Sequence, residues 1–351
     1  MNLQKNVLLA PLTTIKLGGA AQEYISCTST EEIIPALQYA KEKNLRVHVL
    51  GGGSNTIFPD TGFTGLTIHM QTKGITHEDQ ADGTTLLTAQ AGENWDAVVQ
   101  YAIEHDLAGI ECLSGIPGSC GGTPFQNVGA YGQDVSETIR TVHAINRATL
   151  AQEDFSSREC GFGYRTSRFK EQDRDRYIIT AVVFALVKRG APKLVYPELQ
   201  AAFASAQNEA SADQNNIQLV RDAVLALRKK KSMLIDPQDP NSVSCGSFFT
   251  NPIIPKKEFT ENQTLLQSNI PNFPEKNNCV KLSAGWLIEH AGFAKGMRVG
   301  NVGISDNHSL ALVNRGGTAQ ELLAFAKTIQ DAVQEKFNIT LALEPIVVSS
   351  S

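Results

Sequence analysis

Residues 109–132 contain seven glycines and two prolines, an unusually high density of these residues within a chain of 351 residues. Glycine weakens helices and strands because it loses the most conformational freedom on folding, and proline removes a backbone donor. The segment is therefore predicted to be a loop. Long loops without secondary structure of their own are uncommon in compact domains unless they bind something. We expect the rest of the fold to hold this segment in place as a binding loop.

The composition is that of an ordinary globular protein of two or three domains. Hydrophobic residues make up 42% and charged residues 19% of the chain, which excludes disordered, collagen-like and coiled-coil proteins. The net charge of −5 predicts no general attraction to nucleic acid or to an anionic membrane. No apolar run approaches the roughly 20 residues of a membrane span, and no signal-peptide pattern is present. We expect a cytoplasmic protein.

The six cysteines are spaced too irregularly for a zinc site or a disulfide framework, and none forms a C-x-x-C pair. Free cysteine usually behaves as a small hydrophobic residue, so we expect reduced thiols and no metal. The six are Cys27, Cys112, Cys120, Cys160, Cys245 and Cys279.

Hydrophobic periodicity predicts alternating helices and strands up to about residue 200 and a second set beyond it. Residues 201–216, rich in Ala, Ser, Asn and Gln, are interpreted as a surface segment or linker. Helices are predicted over residues 29–44, 95–104, 219–227, 283–291 and 318–336. Strands are predicted over residues 46–50, 66–70, 84–91, 142–145, 177–186, 310–313 and 339–348. The pattern indicates an α+β fold.

Common nucleotide-binding and hydrolase motifs are absent. No Gly-Lys-Ser or Gly-Lys-Thr occurs, which excludes a Walker loop. Neither Gly51-Gly52-Gly53 nor Gly161-Phe162-Gly163 has the third glycine of the dinucleotide fingerprint, because Thr56 and Thr166 stand at that position. G-x-S-x-G and H-E-x-x-H are also missing. P-loop NTPases, Rossmann dehydrogenases, serine hydrolases with a nucleophile elbow and zincins are therefore disfavoured.

Two glycine loops remain as candidate binding sites. Gly51-Gly52-Gly53 follows a predicted strand directly, and its backbone N–H groups can converge on a phosphate. Ser54 and Asn55 add polar reach, although a plain tight turn is the alternative. The second loop, from Leu113 to Gly132, combines small residues with apolar ones and side-chain amides. This combination suits a flat heteroaromatic group and its phosphates.

These loops and several later segments resemble the UDP-N-acetylenolpyruvoylglucosamine reductase family, often called the MurB family. The similarity spans about residues 12–348, and the segments occur in the family's order. Residues 51–55 and 114–132 match its FAD-binding loops. The other matching segments are GYRTSRFK at 163–170, GSFFTNP at 246–252, KLSAGWLI at 281–288 and LALE at 341–344.

The resemblance implies a two-subdomain FAD-binding domain of the p-cresol-methylhydroxylase type plus a C-terminal α/β substrate-binding domain. The FAD-binding subdomains are expected over residues 1–70 and 71–200, and the substrate-binding domain over 201–351. Neither glycine loop contains a histidine that could tether flavin, so non-covalent FAD is expected. The implied FAD-binding residues are Gly51, Gly52, Gly53, Ser54, Asn55, Ser114, Ile116, Pro117, Gly118, Gly121, Asn127, Gly129, Ala130, Tyr131 and Gly132.

The resemblance also implies a reaction in peptidoglycan precursor synthesis. NADPH is the co-substrate that reduces FAD, and reduced FAD passes a hydride to C3 of UDP-N-acetylglucosamine enolpyruvate. A proton added at C2 completes UDP-N-acetylmuramate. Neither a nucleic acid, a membrane span nor an obligate protein partner is implied.

Three residues are candidates for catalysis. Ser247 matches the proton donor, and its weakly acidic hydroxyl needs a site that stabilises the charge left behind. Arg165 can clamp the substrate carboxylate bidentately, which a planar guanidinium does better than an ammonium. Glu344 occurs in an apolar terminal segment, where an unpaired carboxylate would be costly. It is expected to pair with Arg165 or to polarise the substrate.

Further residues match positions that contact the UDP-sugar: Tyr164, Tyr196, Asn251 and His308. For His308 a satisfied polar side chain is the alternative. The run Arg228-Lys229-Lys230-Lys231 closes a predicted helix, where cations suit the negative end of the dipole. A lysine among Lys229, Lys230 and Lys231 could instead attract the substrate diphosphate, and the sequence leaves open which one.

Two other functions stay open on the sequence alone. One is another FAD-dependent oxidoreductase of the same domain type, such as a hydroxyacid dehydrogenase. The other is a nucleotide-sugar-binding protein that has lost catalysis. The joint presence of Arg165, Ser247 and Glu344 argues against the second.

Overall fold

The computed structural model describes residues 2–209, 216–266 and 270–349. The α-helices are α1 (Ile33–Glu42), α2 (Trp95–Glu104), α3 (Pro197–Glu209), α4 (Asn216–Lys230), α5 (Lys256–Glu261), α6 (Gln263–Leu266), α7 (Ala284–His290) and α8 (Ala319–Phe337). The strands are β1 (Leu3–Leu8), β2 (Ala20–Cys27), β3 (Val47–Leu50), β4 (Thr56–Ile57), β5 (Phe63–Met70), β6 (Ile75–Asp79), β7 (Thr84–Gln90), β8 (Leu107–Ala108), β9 (Gly129–Ala130), β10 (Gln133–Asp134), β11 (Ile139–Asn146), β12 (Gln152–Ser156), β13 (Tyr177–Lys188), β14 (Ile253–Pro255), β15 (Asn272–Glu275), β16 (Cys279–Leu282), β17 (Arg298–Val299), β18 (Val302–Ile304), β19 (Leu312–Asn314) and β20 (Ile346–Val347). Within these described ranges no helix combines the length and the apolar character that a membrane crossing requires.

The chain divides into two compact units. The first comprises Met1–Val7, Ala21–Gly53 and Thr64–Leu234. The second comprises Leu8–Ala20, Ser54–Phe63 and Ile235–Ser351. The expected division at residues 70 and 200 stays a prediction, but α4, expected in the C-terminal part, lies in the first unit.

A four-stranded sheet in the order β1-β2-β5-β3 opens the first unit. Strand β3 runs parallel to β5, with Val47 opposite Leu66. Helix α1 buries Ile33, Leu37 and neighbouring alanines in the cluster that also holds residues of β5. Because β3 ends at Leu50, the first glycine loop begins directly at the end of a strand.

The other large sheet of the first unit has the order β12-β11-β13-β7-β6, with β8 beside β13. The twelve-residue β13 is its central strand, pairing antiparallel with β11 and β7. Helix α2 packs onto this sheet through an apolar stripe that includes Trp95, Val98 and Ala102. Asn94 caps the helix by accepting a hydrogen bond from the Ala97 N–H at 3.1 Å. The predicted helix over 95–104 is confirmed.

The second unit contains the small sheets β14-β16-β15 and β17-β18-β19 and the parallel pair β4 and β20. Its longest helix, α8, buries one stripe of its surface in a cluster with β18 and β19. The helix begins with a capping box, in which Thr318 and Glu321 satisfy each other's backbone N–H groups. Asp60 accepts two more N–H groups of the first turn, from Ala319 at 2.8 Å and Gln320 at 3.0 Å.

Two sequence predictions need correction. Residues 201–209, read as a surface segment or linker, continue helix α3, whose Leu199 and Phe203 are buried with Leu219 and Val220 of α4; residues 210–215 lie outside the described part. The predicted terminal strand over 339–348 is reduced to β20. Residues 342–344 hydrogen-bond instead to an irregular partner, residues 248–250.

Candidate active site

The two glycine loops contact each other in the first unit. The Gly52 N–H donates to Ser119 Oγ at 3.3 Å. A Cβ on Gly52 would lie 2.7 Å from the Gly118 backbone, and one on Gly51 would lie 2.3 Å from Ser119 Oγ. The Ser119 hydroxyl could rotate away from a Cβ on Gly51, but the Gly118 backbone could not move aside for one on Gly52. Gly52 is therefore required by the close approach of the loops, and Gly53 has a left-handed φ of 62°.

The second loop accepts hydrogen bonds from the first residue of helix α2. The Trp95 indole N–H donates to the Leu113 carbonyl at 3.1 Å, and its backbone N–H donates to the Gly118 carbonyl at 3.0 Å. Farther along, the Gly121 N–H donates to the Ala91 carbonyl at 2.9 Å. The loop is therefore hydrogen-bonded to a helix that packs on the large sheet. Within the loop Ile116, Pro117 and Gly118 are half-buried, and Ile116 packs against the core of that sheet.

The end of the second loop forms a β-hairpin. Strands β9 and β10 pair antiparallel, with Ala130 opposite Gln133. Tyr131 and Gly132 make the two-residue turn, with φ values of 50° and 83°. Positive φ at both central positions is the requirement of the hairpin turns that match strand twist. Asn127 precedes the hairpin, also at positive φ, and its side chain donates to the Gly163 carbonyl at 3.0 Å.

Arg165 closes onto this hairpin. Its guanidinium donates to the Gly129 carbonyl at 2.5 Å and to the Asn127 carbonyl at 3.5 Å. The Arg165 backbone adopts a left-handed φ of 55°, which is uncommon for a bulky residue and clusters at functional sites. Its guanidinium carbon also lies 5.5 Å from the centre of the Tyr164 ring. The structure therefore places the predicted carboxylate clamp against the predicted FAD loop.

One of the three candidate lysines lies in an aromatic cluster. Lys231 Nζ lies 5.9 Å from the centre of the Tyr131 ring and 2.5 Å from Glu198 Oε2. Tyr196 packs edge-to-face on Tyr131, with ring centres 5.7 Å apart. Burial raises the pKa of Tyr131 to about 12, so its hydroxyl stays protonated at neutral pH. Lys229 and Lys230 are exposed at the end of α4.

Arg228, near the end of α4, is a further candidate site residue that its place at a helix end does not reveal from the sequence. Burial lowers the pKa of its guanidinium, and its Nη2 donates to the Met233 carbonyl at 2.8 Å. Among the described residues, none accepts a hydrogen bond from its Nε. A Cβ built on Gly115 would lie 3.4 Å from that Nε. The seven-residue spacing from Arg221 to Arg228 places both on one face of α4 and could have signalled a shared role.

The residues of the first unit fit a flavin dinucleotide. A half-buried cation, Arg228, lies beside the second loop with its Nε buried and without an acceptor among the described residues, which suits an anionic group. At Gly122 a Cβ would meet no protein atom within 4 Å, so the loop has open space there. The loops 51–53 and 114–132 could therefore hold FAD.

The second unit brings the Ser247 segment beside Glu344. The Phe248 carbonyl accepts the Glu344 N–H at 3.0 Å, and the Phe248 N–H donates to the Leu310 carbonyl at 2.8 Å. Phe249 forms an antiparallel bridge with Leu343. Gly246, with φ of 75°, turns the chain just before Ser247. The two predicted catalytic residues of this unit are thus adjacent to one backbone hydrogen bond.

Other predicted residues of this unit have structural partners. Asn251 Oδ1 accepts the Ala284 N–H at 2.9 Å, at the first residue of α7. His308 Nδ1 accepts the Leu310 N–H at 3.3 Å. Asn55 Nδ2 donates to the Glu344 carbonyl at 3.2 Å, which gives this predicted FAD residue a role in placing Glu344. Asn55 and its neighbour Ser54 belong to the second unit.

Replacing Gly52 with alanine is expected to weaken FAD binding by about tenfold or more. The new Cβ would lie 2.7 Å from the Gly118 backbone and force the two loops apart, and overpacking typically costs ~1–3 kcal/mol. Titration of the apoprotein with FAD measures the loss. Gly83→Ala is the control: its Cβ meets nothing within 4 Å, and its left-handed φ should lower Tm without changing FAD affinity. Equal FAD affinity in both variants would contradict the loop assignment.

The chain is similar to known protein families and to full-length relatives. Family models match residues 21–150 (FAD binding domain) and 237–348 (UDP-N-acetylenolpyruvoylglucosamine reductase, C-terminal domain). The chain is 43% identical to the UDP-N-acetylenolpyruvoylglucosamine reductase of Thermobifida fusca, over 98% of this chain and 97% of that protein. It is 43% identical to that of Streptomyces coelicolor, over 97% of this chain and 88% of that protein.

A solved structure agrees with these relatives. The crystal structure of the reductase (MurB) from Thermus caldophilus matches with a TM-score of 0.67 at 26% identity, covering 99% of this chain and 100% of that chain. The predicted α+β fold, an FAD-binding domain joined to a distinct C-terminal domain, is confirmed. The chain belongs to the UDP-N-acetylenolpyruvoylglucosamine reductase family.

Proposed function

We propose that this chain is a UDP-N-acetylmuramate dehydrogenase. It reduces the enolpyruvyl ether of UDP-N-acetylglucosamine to UDP-N-acetylmuramate, with NADPH as the reductant, in peptidoglycan precursor synthesis. The observation that carries this proposal is the 43% identity to the UDP-N-acetylenolpyruvoylglucosamine reductase of Thermobifida fusca over 98% of this chain. Bound FAD would supply the two-electron chemistry that connects NADPH to C3 of the enolpyruvyl group. A cytoplasmic location is part of this proposal.

The FAD-binding role is assigned to the two glycine loops and to Arg228, whose Nε is buried. The backbone of the first loop can approach a phosphate because its glycines lack side chains. The unpaired Nε of Arg228 can donate to an anionic or carbonyl oxygen of the cofactor. Neither glycine loop contains a histidine that could tether the flavin, so the cofactor is proposed to be non-covalent.

Ser247 is assigned the proton transfer to C2. The O–H bond of Ser247 breaks as the C2–H bond forms, and the serine oxygen then recovers a proton from solvent. An ordinary hydroxyl is a poor acid, so its site must stabilise the charge that develops on the oxygen. The Gly246 turn and the backbone bond between Phe248 and Glu344 hold this segment in one conformation.

Arg165 and Glu344 are assigned electrostatic roles. The guanidinium of Arg165, fixed by two carbonyls, would bind the carboxylate of the enolpyruvyl group, whose negative charge grows during hydride transfer. Glu344 would polarise the substrate or assist proton transfer at C2. Pre-positioned charges of this kind need no reorganisation during the reaction.

The UDP-sugar is assigned to the aromatic cluster of Tyr131, Tyr196 and Lys231. Lys231 is the lysine best placed for the diphosphate, because it lies with Tyr131 and Tyr196. Its partner Glu198 holds the ammonium until the substrate competes for it. Tyr164, Asn251 and His308 are further substrate contacts in this proposal.

Replacing Lys231 with methionine is expected to raise KM for the UDP-substrate by about tenfold or more, because a charge-assisted contact to the diphosphate is worth ~1.5–3 kcal/mol. Reduction of the flavin by NADPH should be unchanged. Lys229→Met, an exposed change at the same helix end, is the matched control and should leave KM near normal. A KM equally affected by the two substitutions would reject Lys231 as the diphosphate ligand.

Product analysis tests the proposed function. The purified chain is incubated with FAD, NADPH and UDP-N-acetylglucosamine enolpyruvate. The nucleotide sugars are then separated, and their masses are measured by mass spectrometry. We expect a product two hydrogens heavier than the substrate, formed in equal amount to the NADPH consumed. NADPH oxidation without that product would indicate a different flavin-dependent oxidoreductase.

A further inference from the structure

Asp96, in the first turn of α2, hydrogen-bonds to the middle of the second glycine loop. Its Oδ1 accepts the Gly115 N–H at 2.6 Å. Arg221 of α4 grips the same carboxylate with two bonds, from Nη1 to Oδ1 at 2.6 Å and from Nη2 to Oδ2 at 2.8 Å. Arg221 is buried, with 8% of its surface exposed. One carboxylate therefore joins the loop to two helices.

The Asp96–Arg221 ion pair is expected to add little to the free energy of unfolding. Removing two charges from water costs much of what their attraction returns, so buried pairs are often replaceable by apolar residues. The loop also has neutral attachments to α2, through the two N–H groups of Trp95. What the charged pair adds is geometry, because a bidentate guanidinium fixes both the position and the plane of the carboxylate.

Gly115 is where that geometry acts. Its φ of 70° is left-handed, and a Cβ there would lie 2.6 Å from Leu234 and 2.7 Å from Leu225. The same Cβ position is 3.4 Å from Nε of Arg228, a half-buried cation that lies about two turns farther along the same face of α4 as Arg221. Gly115 is thus held by its N–H on one side and covered by α4 on the other.

We propose that Asp96, oriented by Arg221, is a positioning residue that sets the Gly115 backbone for flavin binding. Arg221 and Arg228 are the charged groups that face it, and their shared helix couples the carboxylate to the orphaned Nε. The inference rests on the proposed assignment of residues 114–132 to FAD. It predicts that the pair controls how flavin is bound, in addition to whether the helices stay together.

The test compares FAD binding and flavin properties in Asp96→Asn and the wild type. An asparagine presents an NH₂ donor to Arg221 or to the Gly115 N–H, so one of those contacts must break. We expect the FAD dissociation constant, from titration of apoprotein, to rise at least tenfold. The absorption maxima and midpoint potential of the bound flavin should also shift. Arg221→Lys keeps the charge but loses the bidentate grip, and should give the same changes to a smaller degree.

Asp60→Asn is the matched control, because Asp60 also accepts backbone N–H groups, at the start of α8. It should lower Tm while leaving FAD affinity, spectrum and potential unchanged. The inference is overturned if Asp96→Asn and Arg221→Lys bind FAD within twofold of wild type with an unaltered spectrum and potential, whatever their Tm. If Asp96→Asn does not fold, Arg221→Lys alone decides. Failure of the wild type to bind FAD would instead reject the proposed function.

Discussion

Ser247→Ala is expected to leave NADPH-driven bleaching of the flavin near normal and to slow reoxidation by the enolpyruvyl substrate by ~10²–10⁴-fold, the usual worth of a positioned proton donor. Only the second half-reaction needs a proton at C2, so the two rates should separate. The substitution removes one oxygen and leaves the Gly246 turn and the Phe248 backbone bonds in place. Anaerobic stopped-flow absorbance measures each half-reaction alone.

A second serine in the same unit provides the control for Ser247. Ser242 is buried and donates its hydroxyl to the Asp236 carbonyl at 2.8 Å. Ser242→Ala should lower Tm, because the Asp236 carbonyl loses its partner, while both half-reactions stay near normal. Equal slowing of both half-reactions in Ser247→Ala would count against its assignment as proton donor.

Glu344→Gln is expected to slow flavin reoxidation by substrate by a similar ~10²–10⁴-fold with little change in Tm. Glutamine keeps the side-chain volume and removes only the charge and the proton-handling ability. The contacts that hold residue 344 in the fold include its N–H, bonded to Phe248, and its carbonyl, bonded to Asn55. Both are backbone groups and survive the substitution. Reoxidation kinetics and a melting curve on the same sample provide the measurement.

Glu321→Ala separates a catalytic glutamate from a structural one. Its carboxylate accepts the Thr318 N–H at 2.8 Å in the α8 capping box. Loss of that cap should lower stability by about 0.5–2 kcal/mol with normal reoxidation. If Glu344→Gln behaves in the same way, with a lowered Tm and normal turnover, Glu344 leaves the proposed catalytic set.

The fold was predictable where local pattern decides it. Helix α2 follows from apolar residues at helical spacing, and the strand that leads into Gly51 follows from its β-branched residues and the glycines that end it. Residues 201–209 were misread as linker because their polar surface hid an alanine-rich helix that packs on α4. The C-terminal residues 339–348 are mostly apolar, as in a buried strand, but strand formation needs a paired partner, which sequence spacing does not reveal.

The site was predictable only where the sequence carries a contiguous motif. The glycine loops and the Ser247 segment are contiguous, and the structure shows why their glycines are needed. The partners of those motifs come from distant parts of the chain: Asp96 and Arg221 are 125 residues apart. Arg228 looked like an ordinary helix-terminal cation until burial and its orphaned Nε distinguished it. Such long-range pairing depends on packing, which a single sequence does not display.

The most direct test of the proposed reductase is a two-stage anaerobic experiment on the wild-type protein. The FAD-loaded protein is first titrated with NADPH until the yellow absorbance is lost, and UDP-N-acetylglucosamine enolpyruvate is then added without oxygen. We expect full bleaching, followed by recovery of the oxidised flavin spectrum with one equivalent of the enolpyruvyl substrate. A flavin that bleaches with NADPH but stays reduced after that addition would contradict the proposed reductase function.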